Sequence, residues 1–289
     1  MKILMTIICL FFTAAVSADR IDFGRGDVPV TVPENYSDGN PAPLVILLHG
    51  YGSNGPQQDF YLGLSKISDR YGFLLVAPTG TLEDRGEGSA RRPRTFWYTT
   101  GACCDFFNTQ IDDNAYIVGI IESMESNYNV DDRKVFLVGH SNGGFLSYQV
   151  AYKNPGLVAA IASLAGASHF ETRLAPEDTV HVLQIHGTLD STIKYEGGDI
   201  GGVNYPGAME SVIQWAKYNG CLIEPDEDEA RDLDSSLEGY ETIVSTFSAG
   251  CRSGGSSELW TIADGSHIPR VSESFGSQVI EWLYAHSMP

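Results

Sequence analysis

The chain has 289 residues, 43% of them hydrophobic and 11% aromatic, enough apolar material to bury a sizeable core and to exclude wholesale disorder. Lys and Arg total 18 against 37 Asp and Glu, a net charge of −19. Such a surface repels phosphate backbones and anionic bilayers, so nucleic acid is excluded as a partner and no stable membrane anchor is expected.

Residues 1–18 read as a signal peptide. Lys2 gives a positive start, Ile3 to Val16 is apolar, and Ala15-Val16-Ser17-Ala18 offers small residues for cleavage. The apolar stretch is short for a membrane span, and Ile8 before Cys9 argues against lipid attachment. An exported protein, extracellular or periplasmic, is expected, with residues 19–289 forming one catalytic domain.

Beyond residue 18, continuous apolar runs alternate with amphipathic stretches. Leu44–Leu48, Phe73–Ala77, Val135–Val138, Ala159–Leu164, Val180–Ile185 and Ser257–Ile262 suit strands covered on both faces. Asp113–Tyr128, Phe145–Lys153, Met209–Tyr218 and Ser277–His286 carry helical stripes, the first with Asp112 or Asp113 as N-cap. The alternation predicts an α/β fold with a mostly parallel central sheet flanked by helices. The loop from Thr81 to Ile111 is long, and loops of that kind shape sites.

With export, Cys103, Cys104, Cys221 and Cys251 remain, an even number in an oxidising compartment. Cys221 and Cys251 both read as loop positions and are the favoured pair. Cys103 and Cys104 then form a vicinal disulfide or stay as thiols. No paired CxxC spacing points to zinc, so no metal is expected.

Gly139-His140-Ser141-Asn142-Gly143 fits the G-x-S-x-G nucleophile elbow, with a strand before it and a helix after it. Ser141 is the candidate nucleophile. In such elbows the acid and then the histidine follow in the chain. Of seven histidines, His267 alone sits on a loop just after a late strand; His286 falls on the final helix. His267 is the candidate base. Asp190 ends the loop His186-Gly187-Thr188-Leu189-Asp190 after the preceding strand and is the candidate acid, with Asp199 as competitor and His186 as loop support. Acyl transfer also needs oxyanion donors. The Asn142 N–H is one. The second comes from Leu48-His49-Gly50-Tyr51-Gly52, with Tyr51 chosen and Gly52 the alternative.

These segments, with Ala102-Cys103-Cys104-Asp105, Trp215-Ala216, Asn219-Gly220-Cys221 and Glu258–Ile262, resemble the α/β-hydrolase family of secreted polyhydroxybutyrate-depolymerase-like and feruloyl esterases over essentially the whole mature chain. The resemblance implies a serine carboxylic-ester hydrolase with an acyl-enzyme and no cofactor. The substrate expected first is a polyhydroxyalkanoate or related polyester. The alternative is a feruloyl or acetyl ester of plant polysaccharide. A serine peptidase and a non-catalytic binder on the same fold are the competing classes. Ile268-Pro269-Arg270 replaces the Trp-Pro-Gly common after the base, and the resemblance puts Ile268 at the site mouth. Trp97 and Tyr98 are candidate substrate contacts from the long loop, and Tyr205 from the opposite wall. Oligomeric state is not legible.

Overall fold

A computed structural model describes residues 19–86, 89 and 91–289. The expected signal peptide, with Cys9, lies outside the described residues. In chain order the strands and helices are β1 (Asp19–Asp22), β2 (Asp27–Thr31), β3 (Ala42–Leu48), α1 (Gly55–Leu62), α2 (Ser68–Tyr71) and β4 (Leu74–Val76). The long loop carries the short β5 (Thr81–Leu82) and β6 (Thr95–Phe96). Then come α3 (Asp113–Asn127), β7 (Val130–His140), α4 (Asn142–Lys153), β8 (Ala160–Leu164) and β9 (His181–Gly187). The chain finishes with β10 (Gly197–Ile200), β11 (Val203–Pro206), α5 (Ala208–Tyr218), β12 (Asp226–Arg231), β13 (Thr242–Phe247), β14 (Ser256–Ile262) and α6 (Phe275–Ala285).

Ten strands form one sheet in the order β1-β2-β4-β3-β7-β8-β9-β14-β13-β12. The six strands from β4 to β14 are mutually parallel. They are the six apolar runs read from the sequence. Antiparallel pairs close both edges. This is the α/β-hydrolase architecture.

Alternation along the parallel strands feeds two cores, one on each face. Leu44, Ile46, Leu48, Val135 and Leu137 face Ile117, Ile120 and Met124 of α3 and Leu146 of α4. Val45, Leu47, Phe136 and Val138 face Val279, Ile280 and Leu283 of α6. Both faces are covered, so the strands read as largely apolar runs, and the polar residues buried within them are hydrogen-bonded, as Gln184 is to the Gly166 carbonyl and Ser257 to the Val212 carbonyl. The Asp112 carboxylate caps α3 by accepting from Ala115 N–H at 2.9 Å.

Register places the functional loops. Leu48 of β3 pairs with Gly139 of β7, His140 with Leu164 of β8, and Ile262 of β14 with Gly187 of β9. The five chain segments that leave these strand ends therefore emerge along one edge, at the carboxyl ends of parallel strands. Among the described residues no helix is long and apolar enough to cross a membrane.

Candidate active site

Ser141 sits between β7 and α4 at φ 53° and ψ −118°, a left-handed backbone that an L-residue rarely adopts. The neighbours make that turn sterically possible. A Cβ on Gly139 would lie 2.2 Å from the Gly143 carbonyl oxygen, and one on Gly143 would lie 2.3 Å from the Leu48 carbonyl oxygen. Both positions must be glycine. The Ser141 N–H is tied to the Leu164 carbonyl at 2.7 Å, which ties the elbow to β8.

His267 Nε2 lies 2.9 Å from Ser141 Oγ, and His267 Nδ1 lies 2.7 Å from Asp190 Oδ2. A carboxylate can only accept, so it fixes the proton on Nδ1 and turns the Nε2 lone pair toward the serine hydroxyl. The two loops that carry acid and base are stitched together. Leu189 N–H donates to Gly265 O at 2.9 Å, and Thr188 N–H to Ile262 O at 3.0 Å. Gly187 and Gly265 pack so closely that a Cβ on Gly187 would lie 2.3 Å from Gly265.

Asp190 is buried, which opposes ionisation, but donors surround it. His186 and His267 reach Oδ2, and the Thr192 and Ile193 N–H groups donate to Oδ1 at 2.8 and 2.9 Å. The histidine hydrogen bonds outweigh burial and hold the carboxyl well below the usual carboxylate range. His186 supports this loop. The Gln184 amide donates to its Nδ1 at 3.0 Å, which leaves the proton on Nε2 to face Ile193 O at 2.8 Å and Asp190 at 3.2 Å. Asp199 stands elsewhere, accepting from Gly202 N–H within the β10–β11 hairpin.

The Tyr51 and Asn142 N–H groups make no hydrogen bond among the described residues. Gly52, the alternative donor, spends its N–H on Thr95 O at 2.8 Å and is removed from consideration. The Asn142 side chain is fully buried. Its Oδ1 accepts from Trp97 N–H at 2.7 Å, and its Nδ2 donates to Trp97 O at 2.9 Å and to Cys103 Sγ at 3.4 Å.

These contacts correct the substrate-contact expectation for Trp97. The residue is 0% exposed. Its indole N–H donates to His49 O at 3.0 Å, and its ring stacks on Tyr116 of α3. It is a strut behind the His49–Gly52 loop because an indole gains most where its apolar face is covered and its N–H is satisfied. Tyr205 is 3% exposed and is also a support. It packs with Cys103, Cys104, Phe145 and Ile193, and its hydroxyl accepts from Lys194 N–H. Tyr98 is 38% exposed, with its N–H held by the buried Asp113 carboxylate, and it does not line the cleft. Ile268, 62% exposed, does line it. Disulfides join Cys221 to Cys251 and Cys103 to Cys104.

The cleft over Ser141 has a volume of about 400 Å³. Gly50, Tyr51, Ser53, Gln57, Gln58, Tyr61, Arg94, His140, Thr192, His267 and Ile268 line it with Ser141. Most of these were not read from the sequence. The residues from Ser53 to Tyr61 come from the start and body of α1, whose segment Gly55-Pro56-Gln57-Gln58-Asp59 carries little apolar periodicity. His140 lay inside the elbow motif as a variable position. Burial, with the charge of His267 beside it, pushes its ring down to about 4, so it is neutral near pH 7 and donates Nε2–H to the His267 carbonyl at 3.1 Å. Tyr51 is held from beyond the cleft, its hydroxyl donating to Glu83, which also accepts from Arg85 and from Arg94 N–H.

Comparison with known proteins agrees with the fold. The phospholipase/carboxylesterase family profile matches residues 35–201. Feruloyl esterase B of Piromyces equi is 24% identical over 271 residues, 91% of this chain and 45% of that protein. A probable feruloyl esterase C of Aspergillus niger is 30% identical over 190 residues, 66% of this chain and 60% of that protein. The chain thus spans about half the length of these curated relatives. An acetyl xylan esterase structure from Aspergillus awamori superposes with a TM-score of 0.62 at 16% identity, covering 93% of this chain and 99% of that one, a likeness of fold. With the profile covering more than half of its 289 residues, the chain belongs to the phospholipase/carboxylesterase family.

Proposed function

We propose that the protein is a serine carboxylic-ester hydrolase acting on feruloyl or acetyl esters of plant polysaccharide. The observation that carries the chemistry is the unbroken Ser141–His267–Asp190 hydrogen-bond chain at the floor of the cleft. Ser141 Oγ attacks the ester carbonyl carbon while His267 Nε2 takes its proton. Negative charge develops on the carbonyl oxygen, and the Tyr51 and Asn142 N–H groups, which make no other hydrogen bond among the described residues, serve as its donors, each worth about 3 kcal/mol in such sites. Collapse breaks the acyl–oxygen bond, and His267 returns the proton to the departing alcohol. Water, deprotonated by His267, then releases the acid and frees Ser141. Asp190 keeps the imidazole in its working tautomer throughout.

The relatives' names support the polysaccharide substrate. They lend no support to the polyhydroxyalkanoate expected first from the sequence. Residues 19–289 act as one catalytic domain in this reading, since strands from Asp19–Asp22 to Ser256–Ile262 join one sheet. Export fits the Cys221–Cys251 disulfide.

The test is incubation of the protein with feruloylated arabinoxylan, acetylated xylan and polyhydroxybutyrate, with soluble products resolved by chromatography. Ferulate or acetate release is expected. Release of hydroxybutyrate products alone would return the substrate to polyesters.

A further inference from the structure

The cleft lining includes hydrogen-bonding side chains that neither the triad nor the oxyanion pair uses. Gln57 and Gln58 come from the first turn of α1, and Arg94 from the strand end opposite. Gln58 is only 2% exposed. Its Oε1 accepts from Gly50 N–H at 3.4 Å, which turns the amide nitrogen away from that backbone. The Nε2 group has no acceptor among the described residues. A buried amide donor without a partner is costly and rare in folded proteins.

The backbone that carries Gln58 is fixed. Gly55, three residues earlier, abuts the Ala77 carbonyl so tightly that a Cβ there would lie 1.8 Å from the oxygen. Asn54 caps the helix by accepting from Gln57 N–H at 2.9 Å. Arg94 is held as firmly. Its N–H donates to the buried Glu83 carboxylate and its carbonyl accepts from Glu83 N–H, both at 2.9 Å. Its guanidinium stands 5.4 Å from the Tyr51 ring centroid, and it forms no carboxylate ion pair among the described residues. In a chain of net charge −19, a guanidinium with no acid partner among the described residues, lining the same cleft as a buried amide donor without an acceptor among them, marks a place for a ligand rich in acceptor oxygens.

We propose that Gln58, with Arg94 and Gln57, forms a subsite for the hydroxyl-bearing glycosyl portion of the ester. The inference rests on the ester-hydrolase reading of the site. Sugar hydroxyls present closely spaced acceptors that match a row of amide and guanidinium donors. The short alkyl group of a simple ester presents none. Gln58 therefore sets the preference for sugar-borne over alkyl esters of the same acid.

The experiment measures kcat and KM on methyl ferulate, on a feruloyl-arabinose ester and on p-nitrophenyl acetate. Gln58→Glu keeps the acceptor for Gly50 N–H and removes the Nε2 donor. Gln58→Met removes both, and Arg94→Gln removes the cation. The wild type is expected to prefer the sugar ester. Gln58→Glu and Gln58→Met should each lower that preference about tenfold, through KM on the sugar ester. A role confined to bracing Gly50 would instead be rescued in Gln58→Glu and would move both ferulate esters together, which overturns the proposal. If p-nitrophenyl acetate is cleaved but the wild type does not prefer the sugar ester, the subsite fails and the hydrolase reading stands. If no ester is cleaved, that reading fails and takes the subsite with it.

Discussion

The Asn142 carboxamide grips Trp97 through both of its ends, accepting from the Trp97 N–H at 2.7 Å and donating to its carbonyl at 2.9 Å. The residue after the elbow serine thereby fixes the long loop, and the same Nδ2 touches Cys103 Sγ. One side chain couples the site to the loop that carries the vicinal disulfide.

Asn142→Ala keeps the backbone N–H and strips both ends of that grip. It leaves the Trp97 amide groups buried without partners. We expect a stability loss of about 2–4 kcal/mol, read from the urea midpoint, and reduced ester turnover. An unchanged midpoint would mean the grip carries no weight.

Ser141→Ala removes the attacking oxygen and little volume. Ester turnover should fall by about 10⁴-fold or more, with thermal melting unchanged. Retained turnover would require a different nucleophile.

Asp190→Asn replaces an obligate acceptor with a group that can donate to His267 Nδ1. The ring then takes the wrong tautomer, and kcat should fall about 10⁴-fold, as seen when the acid of other such triads is neutralised. A loss under tenfold, measured under saturating substrate, would reduce Asp190 to a structural anchor.

Burial pushes His49 down to about 4, and burial together with His267 does the same to His140. His49 Nε2 accepts from Gly80 N–H at 2.9 Å, so protonation breaks a bond as well. The unfolded chain titrates such rings near 6.5, above the folded values. It therefore binds protons first, and stability is complete above about pH 6.5 and is lost as pH falls toward 4. The loss is roughly 3 kcal/mol per ring across that window. Asp190, depressed in the fold, subtracts further below about pH 4. Urea midpoints at pH 7, 5.5 and 4 should decline accordingly, and less steeply in His49→Gln; a flat profile would contradict this.

Cys221 and Cys251 close a loop of separation 30 between the end of α5 and the turn after β13. Replacing both by serine should cost about 3–4 kcal/mol through the freed unfolded chain, checked by the denaturation midpoint with and without reductant.

The parallel strands were legible because each is buried on both faces, so Leu44–Leu48 or Val135–Val138 had to be apolar throughout. The edge strands escaped for the opposite reason. β12 reads Asp-Glu-Asp-Glu-Ala-Arg and is almost wholly exposed, held by backbone pairing to β13. No apolar face announces such a strand. The elbow was legible because its steric rule is local, two glycines around a strained serine.

By itself the sequence determined the alternation of strand and helix, the elbow, and the chain order of serine, acid and histidine. Each depends on residues close together in the chain. Only the tertiary structure decided that Ser141 and His267, 126 residues apart, meet at 2.9 Å, that Trp97 turns inward, and that Gln58 and Arg94 line the same cleft. The direction a side chain faces is set by what packs against it from distant strands and helices, and local pattern does not encode that packing.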